Sequence, residues 1–162
     1  MSYSILIGNA ELHSEWGAPD EEPIAKWTVA SMVHPEAPFT DDNTGHSNGR
    51  DPGYSQWASF LDATGLRSVF MNAGDGLMRA HPGCQKLNRS HLLAFKAADA
   101  AYRIRNPQAI AGACECTQCS WHPNADAVHD PLLDFNLCRL TWLIWWTEYA
   151  LTNCERPAIY NY

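Results

Sequence analysis

The sequence has little positive charge. Eleven Lys and Arg stand against eighteen Asp and Glu, for a formal net charge of −7. Nonspecific DNA or RNA binding runs on a positive field facing the phosphates, so general nucleic-acid binding is excluded as an expectation. What remains is a local basic cluster, Arg79, Lys86, Arg89, Lys96, Arg103 and Arg105. Long hydrophobic runs are missing too. The most apolar one, Leu140 to Trp146, is flanked by Asp134, Arg139 and Glu148 and falls far short of the roughly 20 residues that a membrane helix needs. The opening MSYSILIGNAEL has neither the charged start nor the long apolar stretch of a signal peptide. These absences lead us to expect no membrane partner and a cytoplasmic setting. In that compartment six cysteines are thiols or metal ligands rather than disulfides. There is no internal repeat and no low-complexity tract, and neither a P-loop ending nor HExxH occurs.

What is present is the balance of a packed globular chain. Hydrophobic residues make up 46% of 162 positions and charged residues 18%, and that length suits one domain over 1–162. Seven Trp, six Tyr and five Phe supply a large aromatic core, since each buried aromatic removes roughly 150–250 Å² from water. They are also many to hide in a small domain, which makes a homo-oligomer a reasonable expectation.

Residues Tyr3–Ile7 read as a strand, and Ala25–Val33 alternates Trp27, Val29, Ser31 and Val33 against Lys26, Thr28, Ala30 and Met32, the period of a strand with one buried face. Tyr54 to Thr64 carries Tyr54, Trp57, Phe60 and Leu61 at helical spacing and closes on Gly65. Asn88 can cap a helix running to about Arg105, rich in alanine and with Leu92, Phe95, Asp99 and Tyr102 in one row. Pro131 can open a last helix to about Asn153. That helix has Leu133, Leu137, Leu140 and Ile144 on one stripe and Trp142, Trp145 and Tyr149 on another. Being apolar nearly all round, it should be the most buried element, with Trp146 the aromatic best placed to meet a pocket or partner. The expectation is an α+β fold: a small N-terminal antiparallel sheet packed against about three main helices, with two long irregular loops.

The first of those loops, His34 to Tyr54, is the main candidate for a ligand site. It contains Pro35, Pro38, Pro52, Gly45 and Gly49 and little that is apolar besides Phe39; loops this long in a compact domain are usually functional or disordered. Within it Gly45 lets the backbone approach a ligand, and Thr44, His46, Ser47 and Asn48 offer hydrogen bonds. Arg50 offers a fork for phosphate or carboxylate. The helix starting at Tyr54 could turn its amides toward the same anion, with Tyr54 itself and Arg79 assisting. The bland alternative is a surface loop whose Asp, Asn and Gly residues merely make turns.

The second loop, residues 107–130, holds Cys114, Cys116, Cys119 and His122, three thiols and an imidazole within nine residues. Such a set can close a tetrahedral site. The C-x-x-C pair is a usual half-site, completed by Cys114 with His122, with His129 or with Cys138. A metal bound there would be a structural zinc, since four protein ligands leave no open position. Free cysteines or a redox pair are the alternatives. Two weaker constellations also stand. His34, Asp41, Asp42 and His46 could form a divalent-metal or acid–base site, and His81 with Cys84 a nucleophile–base pair, although His-Pro-Gly reads more simply as a turn.

The segments YSILIGNAEL, KWTVASMVHPEAP, TGHSNGRDPGYSQW, GLMRAHPGC and WLIWWTEYALTNCERPAI together resemble an uncharacterised family of small bacteriophage and metagenomic proteins with no established activity. The resemblance covers most of the chain and is weakest over residues 107–130. It implies a host-cell cytoplasm and, for small acidic phage proteins outside the virion, action by binding. The leading expectation is therefore a non-enzymatic protein that holds, and so sequesters, a small anionic, nucleotide-like host signalling molecule. The alternatives are a divalent-metal-dependent hydrolase of a phosphorylated small molecule and an interaction module that inhibits a host protein.

Overall fold

In the computed structural model, which describes residues 2–15, 24–39, 45–117, 119 and 124–162, the chain runs β1 (Ile5–Glu15), β2 (Ile24–Val29), β3 (Gly49–Arg50), α1 (Tyr54–Thr64), α2 (Arg67–Met71), β4 (Gly83–Lys86), α3 (Arg89–Arg105), α4 (Phe135–Asn153) and β5 (Pro157–Asn161). The fold is α+β, as expected: an antiparallel sheet of five strands packed with helices. The sheet is larger than the N-terminal one read from the sequence. β1 pairs β2 through Ala10–Glu15 and β3 through Ile5 and Leu6; β5 pairs β1 from Ile5 to Asn9 and carries β4 beyond it. The last strand of the chain is thus the neighbour of the first.

Successive side chains of a strand point to opposite faces. Ile5 and Ile7 face the helices and are fully buried, as is Ile159 of β5. Leu6 and Ala10 point the other way and form a second, smaller cluster with Val29, Ala158 and Tyr160. Gly49 belongs to a close approach between strands: a Cβ there would meet the Leu6 side chain at 2.9 Å.

The helices end and begin where local chemistry says they should. α1 closes on Gly65, left-handed at φ 72°, whose N–H reaches the Leu61 and Asp62 carbonyls. α3 starts at Asn88, whose side chain accepts from the Ser90 and His91 N–H groups while His91 Nδ1 accepts the Asn88 N–H. α4 begins four residues later than Pro131 suggested. The Asp134 carboxylate accepts the Leu137 N–H and caps the helix. The residues before it are tied into a turn in which Asp130 receives the Leu132 and Leu133 N–H groups.

α4 is the buried centre. Leu137, Leu140, Trp142, Leu143, Trp146 and Ala150 are each fully buried in a core shared with Trp57, Phe60, Phe70 and Phe95. Trp146, expected to face a pocket or partner, is 0% exposed. The helix packs against both α3 and β1, so its second stripe is covered as well, and Trp145 and Tyr149, stacked with ring centroids 5.5 Å apart, are the half-buried pair. No helix among the described residues is long and apolar enough to cross a membrane.

Candidate metal centre

The segment between α3 and α4 is a loop with a closed base. Ile110 donates its N–H to the Leu132 carbonyl at 2.9 Å and accepts the Asp134 N–H at 2.9 Å, so the chain leaves and returns at one point beside the start of α4. Inside the loop the Asn124 N–H reaches the Glu115 carbonyl, and the Cys119 N–H reaches the Cys116 carbonyl at 3.1 Å. The second bond is the turn that brings both thiols of the C-x-x-C pair to one side.

Among the described residues, one group of His, Cys, Asp or Glu side chains is close enough to share a metal ion: Cys114, Cys116, Cys119 and His129, whose ligand atoms all lie within 4.8 Å of one another. His129 Nδ1 is 3.7 Å from Cys114 Sγ, 3.8 Å from Cys116 Sγ and 3.4 Å from Cys119 Sγ. A tetrahedral zinc with Zn–S of about 2.3 Å and Zn–N of about 2.0–2.1 Å requires S···N separations of about 3.6 Å. The three distances bracket that value. The donor types agree: thiolates with one imidazole suit zinc, whereas carboxylates and carbonyls suit magnesium or calcium. This cluster can hold a metal such as zinc.

The crowding of the thiols also sets their electrostatics. Cys119 is pushed up to about 12, first by desolvation, then by hydrogen bonds with Cys116 and Cys114 and by their charge. Thiols this crowded oppose one another's ionisation unless a cation lies among them, and a bound divalent ion reverses the balance by stabilising the thiolates.

Of the expected ligand set, Cys114, Cys116 and Cys119 come together and His122 lies outside the described residues. Among the described residues, the imidazole that faces the three sulfurs is His129. Cys138, the other candidate, turns away and donates its thiol to the Gly112 carbonyl at 3.5 Å; burial pushes its pKa up.

The residues of the expected anion loop go to several places. Thr44 lies outside the described residues, as do Asp41 and Asp42. Gly45 is left-handed at φ 63°. His46 is exposed, with Nδ1 2.6 Å from the Ala37 carbonyl and its ring edge-on to Phe39. Ser47 Oγ accepts the Gly49 N–H. Asn48 is fully buried and works as a staple: its Oδ1 accepts the Met32 N–H, and its Nδ2 donates to the Ile7 and Ala30 carbonyls. Arg50 is 1% exposed, with its guanidinium 5.4 Å above the Trp142 ring, and burial, then the charge of Arg139, lowers its pKa well below the usual value. The Trp142 indole N–H donates to the Ser47 carbonyl at 2.9 Å, fixing the loop to α4. Tyr54 joins Tyr3, its Oη 3.4 Å from His81 Nε2. Arg79 donates to the Gly74 carbonyl.

In the two weaker constellations, the His34 N–H donates to the His46 carbonyl at 3.1 Å, and Asp41 and Asp42 lie outside the described residues. The His34 ring packs on Trp145 and Tyr149, while that of His46 packs on Phe39. His81 Nδ1 is 2.8 Å from Asn161 Oδ1, and Cys84 sits on β4 opposite Tyr160, its pKa raised by burial.

Among the described residues the cluster thus has the donor set of a Cys3His centre and could hold a metal such as zinc. No family model matches the chain, and no curated protein or solved structure was found to be similar to it.

Proposed function

We propose that this protein is a zinc-holding, non-enzymatic binding protein in which the metal is structural. The observation that carries the reading is the fit of the three sulfur–nitrogen distances around His129 to a tetrahedral zinc. Four protein donors leave no position for a substrate or an activated water. The metal instead joins the two arms of the 110–134 loop, whose base adjoins the cap of α4 at Asp134. The scaffold so steadied is read as a binder of a small anionic, nucleotide-like molecule, in the host-cell setting that the resemblance to phage proteins implies.

A metal-dependent hydrolase built on His34, Asp41, Asp42 or His46 draws less support: the two His rings pack on different neighbours, and both carboxylates lie outside the described residues. Anion binding by residues 45–50 asks Asn48 and Arg50 to leave buried positions, and the geometry favours it less than it favours the metal. Elemental analysis of protein purified without added metal tests the zinc reading. One zinc per chain is expected, with loss in Cys116→Ser; native protein free of metal would end it.

A further inference from the structure

The helix-free face of the sheet carries a groove of about 400 Å³. Its floor is made of small side chains, Ala10 of β1, Cys84 of β4 and Ala158 of β5, which lie on the same face as Leu6, Val29 and Tyr160. Trp27 forms one wall. It stands two residues from Val29 and opposite Leu12, so it projects on this face, and it remains 41% exposed.

Two cations, Lys86 and Arg156, are part of the lining. The Arg156 guanidinium lies 5.4 Å from the Trp27 ring centroid. Its backbone is fixed from both sides: the Arg156 N–H donates to Asn9 Oδ1 at 2.8 Å, and its carbonyl accepts the Ala10 N–H at 2.8 Å. Among the described residues Glu155 is the one carboxylate on the lining, 3.7 Å from Arg156, with both side chains more than half exposed. An exposed pair of this kind is weak, and an incoming anion can take the place of that carboxylate.

We propose that this groove is a binding site for a flat heteroaromatic ring carrying an anionic group, the chemistry of a nucleoside monophosphate. The ring lies on the Ala10–Cys84–Ala158 floor against Trp27, and the anion sits between Lys86 and Arg156. The volume falls within the range of small-molecule pockets, about 300–1,000 Å³, and aromatic walls with a few placed charges are what such sites use. A strand of nucleic acid fits less well, since two cations in a chain of net charge −7 give it little to follow. The proposal rests on the small-anion half of the proposed function and is independent of its zinc half.

The test uses zinc-loaded full-length protein with AMP, GMP, CMP and UMP, adenosine, inorganic phosphate and a single-stranded decamer, read by calorimetry and by amide and indole chemical shifts. At least one monophosphate should bind with a dissociation constant below a millimolar, shifting the Trp27 indole and the amides of Cys84, Lys86 and Ala158. The affinity should fall tenfold or more in Trp27→Ala and in Lys86→Glu, both at exposed positions, with the melting temperature kept. Phosphate alone binding as tightly, affinity unchanged in both variants, or a decamer binding far tighter than any monophosphate each overturns it. Shifts confined to residues 45–50 overturn the groove and leave the small-anion reading standing. Failure of all four monophosphates to bind defeats both.

Discussion

Removing the metal should loosen one part of the molecule and leave most of it folded. Zinc would tie Cys114 to His129, enclosing about fifteen residues, and closing a loop of that length by a cross-link stabilises a fold by about 3 kcal/mol. The aromatic core around α4 contains none of the four ligands, so the loss should be of that size and should not extend to the whole stability. For a chain of this length, about 3 kcal/mol corresponds to a fall of about 6–12 °C in melting temperature. Calorimetry before and after chelation, and of Cys116→Ser, measures it. Hydrogen exchange locates it: protection of the Ile110 and Asp134 amides, which close the base of the loop, should drop, while the β1 and β5 amides keep theirs. A melting temperature unmoved by chelation of a zinc-containing sample would refute the structural role. Simultaneous loss of protection in the sheet would refute the argument that the core stands without the ion.

Zinc affinity should weaken with acid. Cys119, pushed up to about 12 when no metal is present, keeps its proton at neutral pH and must release it to become a ligand, so affinity should fall at least about tenfold per pH unit; chelator competition between pH 6 and 8 reads it, and a flat profile would remove Cys119 from the ligand set. Asn48→Ala strips partners from the Met32 N–H and the Ile7 and Ala30 carbonyls. Of these bonds the one to Ile7 is fully buried; at about 1–3 kcal/mol for a buried group left unsatisfied, urea unfolding should show a loss of about 1–3 kcal/mol, and a loss near zero would mean the staple carries no weight. Asp134→Ala should cost about 1–2 kcal/mol through the lost α4 cap and the broken bond from Tyr102 Oη, whereas Asp130→Ala should cost less; equal costs would move the effective start of α4 back toward Pro131.

The helices were largely legible because their start and stop signals are chemical. Gly65 supplies a left-handed residue and Asn88 a side-chain acceptor, and both signals survive whatever packs around them. β4 and β5 were not read. Gly-Cys-Gln-Lys has no β-branched or aromatic residue and Pro157 opens β5; their strand character comes from partners far away in sequence, which a local pattern does not register. The same limit explains Trp146: spacing gives its angle around α4, while burial depends on what lies at that angle. The cysteine cluster could be read because three thiols in six residues are a rare concentration. Its imidazole was left open between His122 and His129: the returning arm of the loop brings His129 to the sulfurs, and His122 lies outside the described residues. Asn48 and Arg50 misled in another way. Polar residues between glycines look solvated, yet both are buried, Asn48 because its amide satisfies backbone groups that the short strand β3 leaves over.

The pairing of β1 with β5 also sets a timetable. Ile5 and Leu6 are made well before their partners Asn161 and Tyr160, which come more than 150 positions later. At about 5–20 residues per second, the interval on a ribosome is on the order of ten to thirty seconds. Throughout it the Ser-Ile-Leu-Ile segment is an apolar strand edge without the neighbour it will keep, and β4 likewise waits for β5. The helices can form from local contacts as they emerge, but closure of the sheet comes last and spans nearly the whole described chain, a long-range step of the kind that slows folding. Substitutions in Pro157–Asn161 should therefore reduce the yield of folded protein in cells more than their effect on the finished fold predicts.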